Sequence, residues 1–328
     1  MVQSAFEKLL SKIGVSQAQR SQGSTSHGYI RKLLNNKWQN DPLFPWLTSG
    51  DFLSGSYARG TKIYPLDDID VMMVIDGTGL FVFEKGQRIN AEVRGGGAVG
   101  SPVSQYTYGT QGLISSKRIL EAFRDAIQES YPNSNIRKNG QAVNVWFESY
   151  GMGLDIVPCF HILPKDGRRD FYYIPQGGES HEWLTTNPKI DAEICDAVDA
   201  LHDNKLKPVI RLLKYWNKVH NASRLESYHL ETVAIYVFHN HPEKILDHAK
   251  AVQYFFNNAA TYLQGSCPDM TQLGDPVDRY LTPEARRLTL VKIMEAQRAI
   301  NTPSSSGFLA PVNQLVGWRK IYGDTFGI

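Results

Sequence analysis

The most informative part of the sequence is LSGSYARGTKIYPLDDIDVMMVI, residues 53–75. It places three carboxylates, those of Asp67, Asp68 and Asp70, at the start of the apolar run 71–75. Aspartate is a poor strand former, and carboxylates this close together repel one another. A hard cation bound by oxygen ligands would offset that repulsion. The stretch therefore predicts a buried strand that begins at a metal-binding pair of carboxylates.

The spacing of these aspartates indicates which side chains act together. Asp68 and Asp70 are two positions apart, and on a strand such positions face the same side of the sheet. Both can therefore bind a common pair of metal ions, whereas Ile69 faces the core and Asp67 faces away. Two-metal phosphoryl transfer needs carboxylates that hold two magnesium ions roughly 3.5–4 Å apart.

A third carboxylate is expected from an adjacent strand. Asp155 interrupts the apolar run 154–157, and a lone aspartate in a strand is costly unless it is paired or bound to metal. Upstream, Gly55 and Ser56 begin a tight turn whose N–H groups and hydroxyl suit a triphosphate. An Asp-x-Asp pair alone is common on strands that bind no metal. The Gly-Ser turn and Asp155 together favour the metal site.

The composition is that of an ordinary globular protein, long enough for two lobes. The chain has 328 residues, 42% hydrophobic and 21% charged, with a net charge of +2, which is too balanced for a dedicated nucleic-acid binder. No apolar run approaches the roughly 20 residues of a membrane span, and residues 1–14 predict an amphipathic helix rather than a signal peptide. Cys159, Cys195 and Cys267 lack zinc-ligand spacing and indicate free thiols in a reducing cytoplasm.

The hydrophobic pattern divides the chain into an α/β lobe and a helical lobe. In the first half it predicts helices at 25–38 and 113–131 and strands at 70–75, 142–147 and 154–157. In the second half it predicts helices over 191–219, 228–239, 242–263 and 283–299. We therefore expect an α+β fold, with a catalytic lobe at residues 1–187 that has a mixed twisted sheet, and a helical lobe at residues 188–328.

The order of the motifs resembles a known superfamily. The Gly-Ser turn, then Asp68 and Asp70, then Asp155 on a later strand are similar to the nucleotidyltransferases typified by DNA polymerase β. Residues 211–218 (RLLKYWNK) and 225–231 (LESYHLE) resemble the oligoadenylate-synthetase and cGAS-like branch, and above all the bacterial oligonucleotide cyclases, the CD-NTase family. Further similar segments extend the resemblance over nearly the whole chain, at 174–175, 183–188, 275–276 and 318–323.

The resemblance implies a role for each residue of the first half. Asp68, Asp70 and Asp155 would hold two Mg²⁺ ions, for which Mn²⁺ can substitute. Asp155 would also help to deprotonate the attacking hydroxyl. Gly55 and Ser56 would bind the donor triphosphate. The catalytic lobe would have the polymerase-β-like fold, with the active site in the cleft between the lobes.

The resemblance also implies donor-binding residues in the helical lobe. Lys214 would reach the β- and γ-phosphates as a point charge, Ser227 would donate to the phosphates, and Tyr228 would stack on the donor base. Structural interpretations of the same residues stay open. Lys214 is alternatively a solvated helix charge, and Tyr228 a core aromatic residue. Arg59 and Lys62, beside the Gly-Ser turn, either contact phosphate or pair with carboxylates.

Together these observations favour a cytoplasmic synthase of nucleotide second messengers. It would join NTPs, with ATP expected among them, by attack of a ribose hydroxyl on an α-phosphate, release pyrophosphate and close a cyclic dinucleotide or a larger ring. By resemblance, the product would activate a downstream effector in bacterial antiphage signalling of the CBASS type. A regulatory protein is a further candidate partner. A membrane is not an expected partner, because no apolar run is long enough to span one. Double-stranded nucleic acid is not an expected activator, because the cysteines lack zinc-ribbon spacing and the charge is balanced.

Two other classes of function compete with this interpretation. One is a template-independent RNA-tailing or small-molecule nucleotidyltransferase, against which the near-neutral charge argues weakly. The other is a catalytically inert nucleotide sensor or scaffold, against which the presence of all three carboxylates argues. Incubation with NTPs alone separates these classes, because a cyclase needs no acceptor polymer.

Overall fold

The chain forms two compact units in the computed structural model, which describes residues 1–85, 90–95, 101–164, 169–301, 310–324 and 326–327. The sheet unit comprises residues 16–58 and 65–190, and it contains every strand that the structure describes. The helical unit comprises residues 1–15, 59–64 and 191–328.

The bounds of the regular elements follow in chain order. The helices are α1 (Val2–Ile13), α2 (Gln17–Asn40), α3 (Gly55–Ala58), α4 (Ser116–Ser130), α5 (Pro188–Leu201), α6 (Leu206–Val219), α7 (Ser227–His239), α8 (His248–Asn258), α9 (Ala260–Leu263), α10 (Pro283–Asn301) and α11 (Ala310–Tyr322). The strands are β1 (Phe52–Ser54), β2 (Asp70–Ile75), β3 (Leu80–Lys85), β4 (Asn90–Gly95), β5 (Thr107–Tyr108), β6 (Leu113–Ile114), β7 (Asn135–Asn139), β8 (Ala142–Phe147), β9 (Met152–Ile162), β10 (Phe171–Pro175) and β11 (Trp183–Thr186).

The strands form one mixed sheet in the order β1-β2-β9-β10-β11-β4-β6-β5, with β3 on β4, and β8 between β7 and β9. Within the described residues, β2 and β9 are the one parallel pair, and the other paired strands run antiparallel. Parallel neighbours begin at the same edge of a sheet. The pairing therefore brings the first residues of β2 beside an early part of β9.

The sheet unit is held by α4 and by burial of both sides of β2. The stripe of α4 that the 3.6-residue period predicts is buried, and α4 packs against α2 and against β7 to β10. Successive residues of β2 face opposite sides, and Met72 and Val74 pack with Val157, Cys159 and Tyr172 in one apolar cluster.

The helical unit includes the N-terminal helix. The ring of Phe6 in α1 packs edge-on against Trp318 and Tyr322 of α11, with centroids 4.9 and 5.7 Å apart. The segment 59–64 joins the same unit, where the Tyr64 N–H donates to the Ile13 carbonyl at 2.8 Å. The compact units thus differ from the division predicted at residue 187/188, since contacts between segments far apart in sequence place α1 and residues 59–64 with the helices.

The predicted fold class is confirmed, with differences at element ends. The first long helix begins at Gln17 rather than near residue 25, because Ser16 and Gln19 form a capping box there. The predicted helix 191–219 is two helices, α5 and α6, separated at 202–205, where Asp203 and Asn204 have positive φ. None of the helices described here combines the length and the apolar character that crossing a bilayer requires.

Candidate active site

The carboxylates predicted to share a site lie at the start of β2 and on β9. Asp70 is the first residue of β2 and is the register partner of Asp155. Backbone hydrogen bonds extend this pairing upstream, since the Asp155 N–H donates to the Ile69 carbonyl at 2.9 Å. Ile69 is fully buried, whereas Asp68 and Asp70 are half-buried and Asp67 is exposed. The predicted alternation of core-facing Ile69 and outward carboxylates is confirmed.

Each of the paired carboxylates contacts a neighbouring strand or turn. Asp155 Oδ1 accepts a hydrogen bond from Asn144 Nδ2 at 2.9 Å, and these residues are register partners on β8 and β9. The Asp70 carboxylate lies against Gly55, at the end of β1, which pairs with β2 through Ser54 and Asp70. Asn144 was not predicted from the sequence, although it interrupts an apolar strand just as Asp155 does.

Gly55 is required here for two independent reasons. Its φ is +67°, a region that residues with a Cβ enter at a cost. In addition, a Cβ at this position would lie 1.7 Å from Asp70 Oδ2, far inside van der Waals contact. The glycine of the predicted Gly-Ser turn therefore allows a carboxylate to approach the backbone at the start of α3. Ser56 follows it and is half-buried.

The donor set suits a hard divalent cation, but the side chains do not yet converge on one. Three carboxylates at the edge of the β2–β9 pair are the oxygen ligands that such ions prefer. Across the described residues, however, no group of three or more acidic, histidine or cysteine side chains is placed to hold an ion. Asp70 is turned to Gly55 and Asp155 to Asn144. Binding of metal to these three aspartates stays a prediction.

Lys214 lies on α6 with its side chain buried rather than in solvent. It is 5% exposed, and its Nζ is 2.5 Å from Glu231 Oε1 on α7. Burial lowers the pKa of Lys214, while the charge of Glu231 acts in the opposite direction. The alternative of a solvated helix lysine is therefore wrong. The role of Lys214 in phosphate binding stays a prediction.

Glu231 joins Lys214 to Arg59 in one buried network. Arg59 Nε donates to Glu231 Oε2 at 3.0 Å, and the Thr61 hydroxyl donates to the same oxygen at 2.8 Å. Burial alone would raise the pKa of Glu231, but the charges of Lys214 and Arg59 lower it to about 2. Glu231 is therefore an anion between two cations, and Arg59 pairs with it rather than with the aspartates of β2.

Tyr228 lies in the first turn of α7 and is fixed by two carboxylates. Its hydroxyl oxygen is 2.6 Å from Asp191 Oδ1 and 2.8 Å from Asp269 Oδ1. The Arg59 guanidinium lies over its ring, 5.7 Å from the centroid. The side chain is half-buried, so it is not an ordinary core aromatic residue. Ser227, the first residue of α7, is exposed.

Sequence reasoning missed three acidic residues of the helical unit. Glu231 ends the segment 225–231 that carries the family resemblance, but no role was predicted for it. An acidic side chain within the apolar run of α7 nevertheless indicates a buried, paired carboxylate. Asp191 and Asp269 carried no such signal, because acidic residues near helix starts and in loops are common on protein surfaces. Their partner Tyr228 lies 37 and 41 residues away along the chain.

A family model agrees with the motifs and with this geometry. The model of the Second Messenger Oligonucleotide or Dinucleotide Synthetase domain matches residues 1–93 and 99–197. The chain belongs to this family. The resemblance inferred from the Gly-Ser turn and the three aspartates is thereby confirmed, and so is the class of nucleotidyltransferase.

Two proteins with similar sequences are named as cyclic nucleotide synthases. The chain is 30% identical over 201 residues to a probable cyclic nucleotide synthase of Bacillus cereus strain VD146, in a match covering 60% of this chain and 59% of that protein. It is 24% identical over 303 residues to the cyclic AMP-AMP-AMP synthase of Escherichia coli strain MS 115-1, in a match covering 83% and 82%. The chain thus spans less than two thirds of the Bacillus relative.

The fold is also that of a solved structure. The structure of E. coli MS115-1 CdnC with ATP superposes with a TM-score of 0.71 over 100% of this chain and 99% of that one, at 17% identity. The structure of the CdnC:HORMA-deltaN complex gives the same values. At this identity the likeness concerns the fold, which combines a mixed sheet with a helical C-terminal region.

Proposed function

We propose that this protein is a cyclic oligonucleotide synthase that joins NTPs and releases pyrophosphate. The observation that carries the proposal is the parallel register of β2 and β9, which sets Asp70 beside Asp155. Asp70 also lies against the Gly55 turn, and Asp68 is two residues before it in the sequence. Carboxylates in this arrangement, at a turn that suits phosphate, are what nucleotidyl transfer requires. Family membership and the names of the relatives support the same chemistry.

The three aspartates are proposed to hold two Mg²⁺ ions, with Mn²⁺ as a substitute, once the Asp70 side chain turns away from Gly55, while Asp155 keeps its hydrogen bond to Asn144. When bound, the metal would stabilise negative charge on the transferring phosphoryl group and activate the attacking oxygen. Asp155 would accept the proton of the ribose hydroxyl, and Asn144 would orient that carboxylate through its hydrogen bond to Oδ1. Gly55 and Ser56 would bind the donor triphosphate through N–H groups and a hydroxyl.

The helical unit is proposed to supply further donor contacts. Lys214 would place its ammonium group at the donor phosphates, held in position by Glu231, and Ser227 would add a hydroxyl. Tyr228 would stack on the donor base. ATP is the proposed donor, because the E. coli relatives carry names that contain AMP and ATP.

The proposed setting is bacterial antiphage signalling of the CBASS type. The cyclic product would activate a downstream effector, and a regulatory protein would bind the synthase. The CdnC relative has been solved with a HORMA protein, which supports a regulator of that kind as the proposed partner.

Mass spectrometry of the products tests the proposal. Purified protein is incubated with all four NTPs and Mg²⁺ or Mn²⁺, in parallel samples without polymer and with added RNA, and pyrophosphate is measured in each. A cyclic oligonucleotide formed by the wild type and absent from the variant with Asp68→Asn and Asp70→Asn is expected. Products that form only on added RNA would establish the tailing alternative, and a protein that binds ATP without releasing pyrophosphate under any of these conditions would be the inert sensor.

A further inference from the structure

The hydroxyl of Tyr228 has one proton and two carboxylate neighbours. Its oxygen lies 2.6 Å from Asp191 Oδ1 and 2.8 Å from Asp269 Oδ1, and both distances are in the normal range of O–H···O hydrogen bonds. A phenol donates one hydrogen bond, and an ionised carboxylate donates none. Two ionised carboxylates therefore cannot both be bonded to this oxygen. The arrangement needs a second proton, and one of the two aspartates must carry it.

The surroundings identify which aspartate is protonated. Asp269 Oδ2 accepts hydrogen bonds from the Leu273 and Gly274 N–H groups at 3.3 and 3.2 Å, and from the Thr271 hydroxyl. Such donors stabilise an ionised carboxylate. Asp191 is 7% exposed, and within the described part of the chain Tyr228 is its single hydrogen-bond partner. Burial without donors favours the neutral form, so the proton belongs on Asp191.

The ring of Tyr228 is held from a second direction. The Arg59 guanidinium lies 5.7 Å from the ring centroid, and Glu231 fixes Arg59 through hydrogen bonds of 3.0 and 3.4 Å. The hydroxyl end is fixed by the two aspartates. A side chain held at both its ring and its hydroxyl keeps one orientation, which is the property that a stacking surface for a base requires.

We propose that Asp191 and Asp269 are positioning residues for Tyr228. Neutral Asp191 donates to the Tyr228 oxygen while the Tyr228 hydroxyl donates to ionised Asp269, and this relay holds the ring for stacking on the donor base. The proposal rests on the proposed function, because it assumes that Tyr228 contacts the donor nucleotide. It adds that donor affinity depends on the protonation of a carboxyl group that touches no substrate.

The pH range in which the relay changes follows from the groups around Asp191. Burial raises the pKa of Asp191 to about 6; the charges of Asp269 and Glu231 add to this rise, and that of Arg59 acts against it. Because this pKa lies above the ordinary value of 3.8, the folded protein binds the proton more tightly than the unfolded chain does. The relay is therefore half formed near pH 6, approaches completion as the pH falls further and is lost as the pH rises.

The test compares the wild type with Asp191→Asn, whose neutral amide both accepts and donates without titrating. KM for the NTP that is consumed is measured between pH 5.5 and 8.5. We expect the ratio of wild-type to variant KM to lie near one at pH 5.5 and to rise about 5-fold by pH 8, as the loss of one hydrogen bond predicts. Taking the ratio removes titrations that both proteins share, such as that of the NTP.

Two further variants define the positioning role. Asp191→Ala and Tyr228→Phe remove the relay, and each should raise KM about 5- to 10-fold at pH 5.5, while kcat changes less than about 2-fold. Asp196→Asn is the matched control, because Asp196 lies on the same helix, is largely exposed and pairs with Lys207. Its KM ratio to the wild type should stay constant with pH.

A measurement without substrate separates this proposal from the proposed function. The melting temperature of Asp191→Asn minus that of the wild type should grow between about pH 4 and 6 and then level off, because only the wild type must ionise a buried carboxyl. A flat difference would overturn the proton assignment. A constant KM ratio, or a lower melting temperature of Asp191→Ala with unchanged KM, would overturn the positioning role. A wild type that makes no product would overturn the proposed function, while the melting measurement still decides the protonation.

Discussion

The sheet unit and the helical unit hold their charged residues in opposite ways. In the sheet unit, Asp68 and Asp70 are half-buried at the edge of a strand, and neighbouring backbone and Asn144 surround the site. In the helical unit, Glu231 is 1% exposed and lies between two cations, Lys214 and Arg59. The first arrangement leaves the carboxylates partly exposed. The second neutralises charge internally, because a buried ion without a partner would destabilise the fold by several kcal/mol.

This contrast in exposure predicts different consequences for substitutions in the two units. We expect an amide in place of a carboxylate at the start of β2 to cost little stability, although the proposed chemistry depends on that carboxylate. We expect the buried carboxylate of the helical unit to matter first for stability, because it lies between two buried cations. Variants on the two sides should therefore separate activity from stability, and the expected effects below run from the largest to the smallest.

The largest effect is expected on activity when the sheet-edge carboxylates are removed. The double variant with Asp68→Asn and Asp70→Asn should lose at least about 10³-fold in pyrophosphate release, since metal ligation contributes several kcal/mol to phosphoryl transfer. Its free energy of unfolding should stay within about 1–2 kcal/mol of the wild-type value, because like-charge repulsion is removed together with a few contacts. Denaturant titration and pyrophosphate release are measured on the same preparation. A double variant that fails to fold would show that these aspartates are structural.

The opposite result is expected in the helical unit. Glu231→Ala leaves Lys214 and Arg59 buried without their anion and should lower the free energy of unfolding by roughly 3–5 kcal/mol. Glu284→Ala is the matched control, because this glutamate pairs with Arg287 at the surface and should melt like the wild type. Urea denaturation followed by circular dichroism measures both. Equal stability of the two variants would mean that the buried network contributes nothing.

Acid should weaken the helical unit through the same residue. The pKa of Glu231 is about 2 in the fold against an ordinary 4.5, because the Lys214 and Arg59 charges outweigh burial. A depressed pKa contributes stability above pH 4.5 that is lost as the pH falls from 4.5 towards 2, by about 3 kcal/mol for a shift of this size. Unfolding free energies of the wild type and of Glu231→Gln, measured between pH 2 and 6, should converge as the pH falls. Parallel curves would contradict the assignment.

The turn beside Asp70 offers a test of intermediate size. Gly55→Ala would place a Cβ 1.7 Å from Asp70 Oδ2 on a residue with positive φ, so the turn must shift. The free energy of unfolding should fall by about 2–4 kcal/mol, and activity should fall with it. Gly151→Ala is the control for φ alone, because Gly151 has φ +55° and a Cβ there would meet none of the described residues within 4 Å, its chain neighbours apart. This control should cost only about 1–2 kcal/mol. Equal losses in thermal melting would show that the contact with Asp70 is unimportant.

The smallest effect is expected at the third aspartate of the opening stretch. Asp67 is exposed and is predicted to face away from the site, so Asp67→Asn should keep activity within about 2-fold of the wild type and change the melting temperature little. Pyrophosphate release is measured beside Asp68→Asn. If Asp67→Asn were inactive and Asp68→Asn active, the register of the ligands would be displaced by one residue.

Much of the sheet unit could be predicted because its signals are local. Alternation of apolar and acidic residues around Ile69 predicted the buried strand and the direction of its carboxylates. The β8 strand has the predicted bounds, and the predicted run 154–157 lies inside β9. What the pattern could not predict was the parallel pairing that sets Asp70 beside Asp155, since 85 residues separate the two in sequence.

By itself, then, the sequence determined the fold class, the family, the strand that carries Asp68 and Asp70, and the turn that precedes it. These follow from short-range periodicity and from residue types in a fixed order. Only the tertiary structure decided that Lys214 is buried on Glu231, that Arg59 belongs to the helical unit, and that two distant aspartates hold Tyr228. The physical reason is that burial and charge pairing depend on which segments meet in space, and a buried ion is stable only beside a partner that the local sequence does not contain.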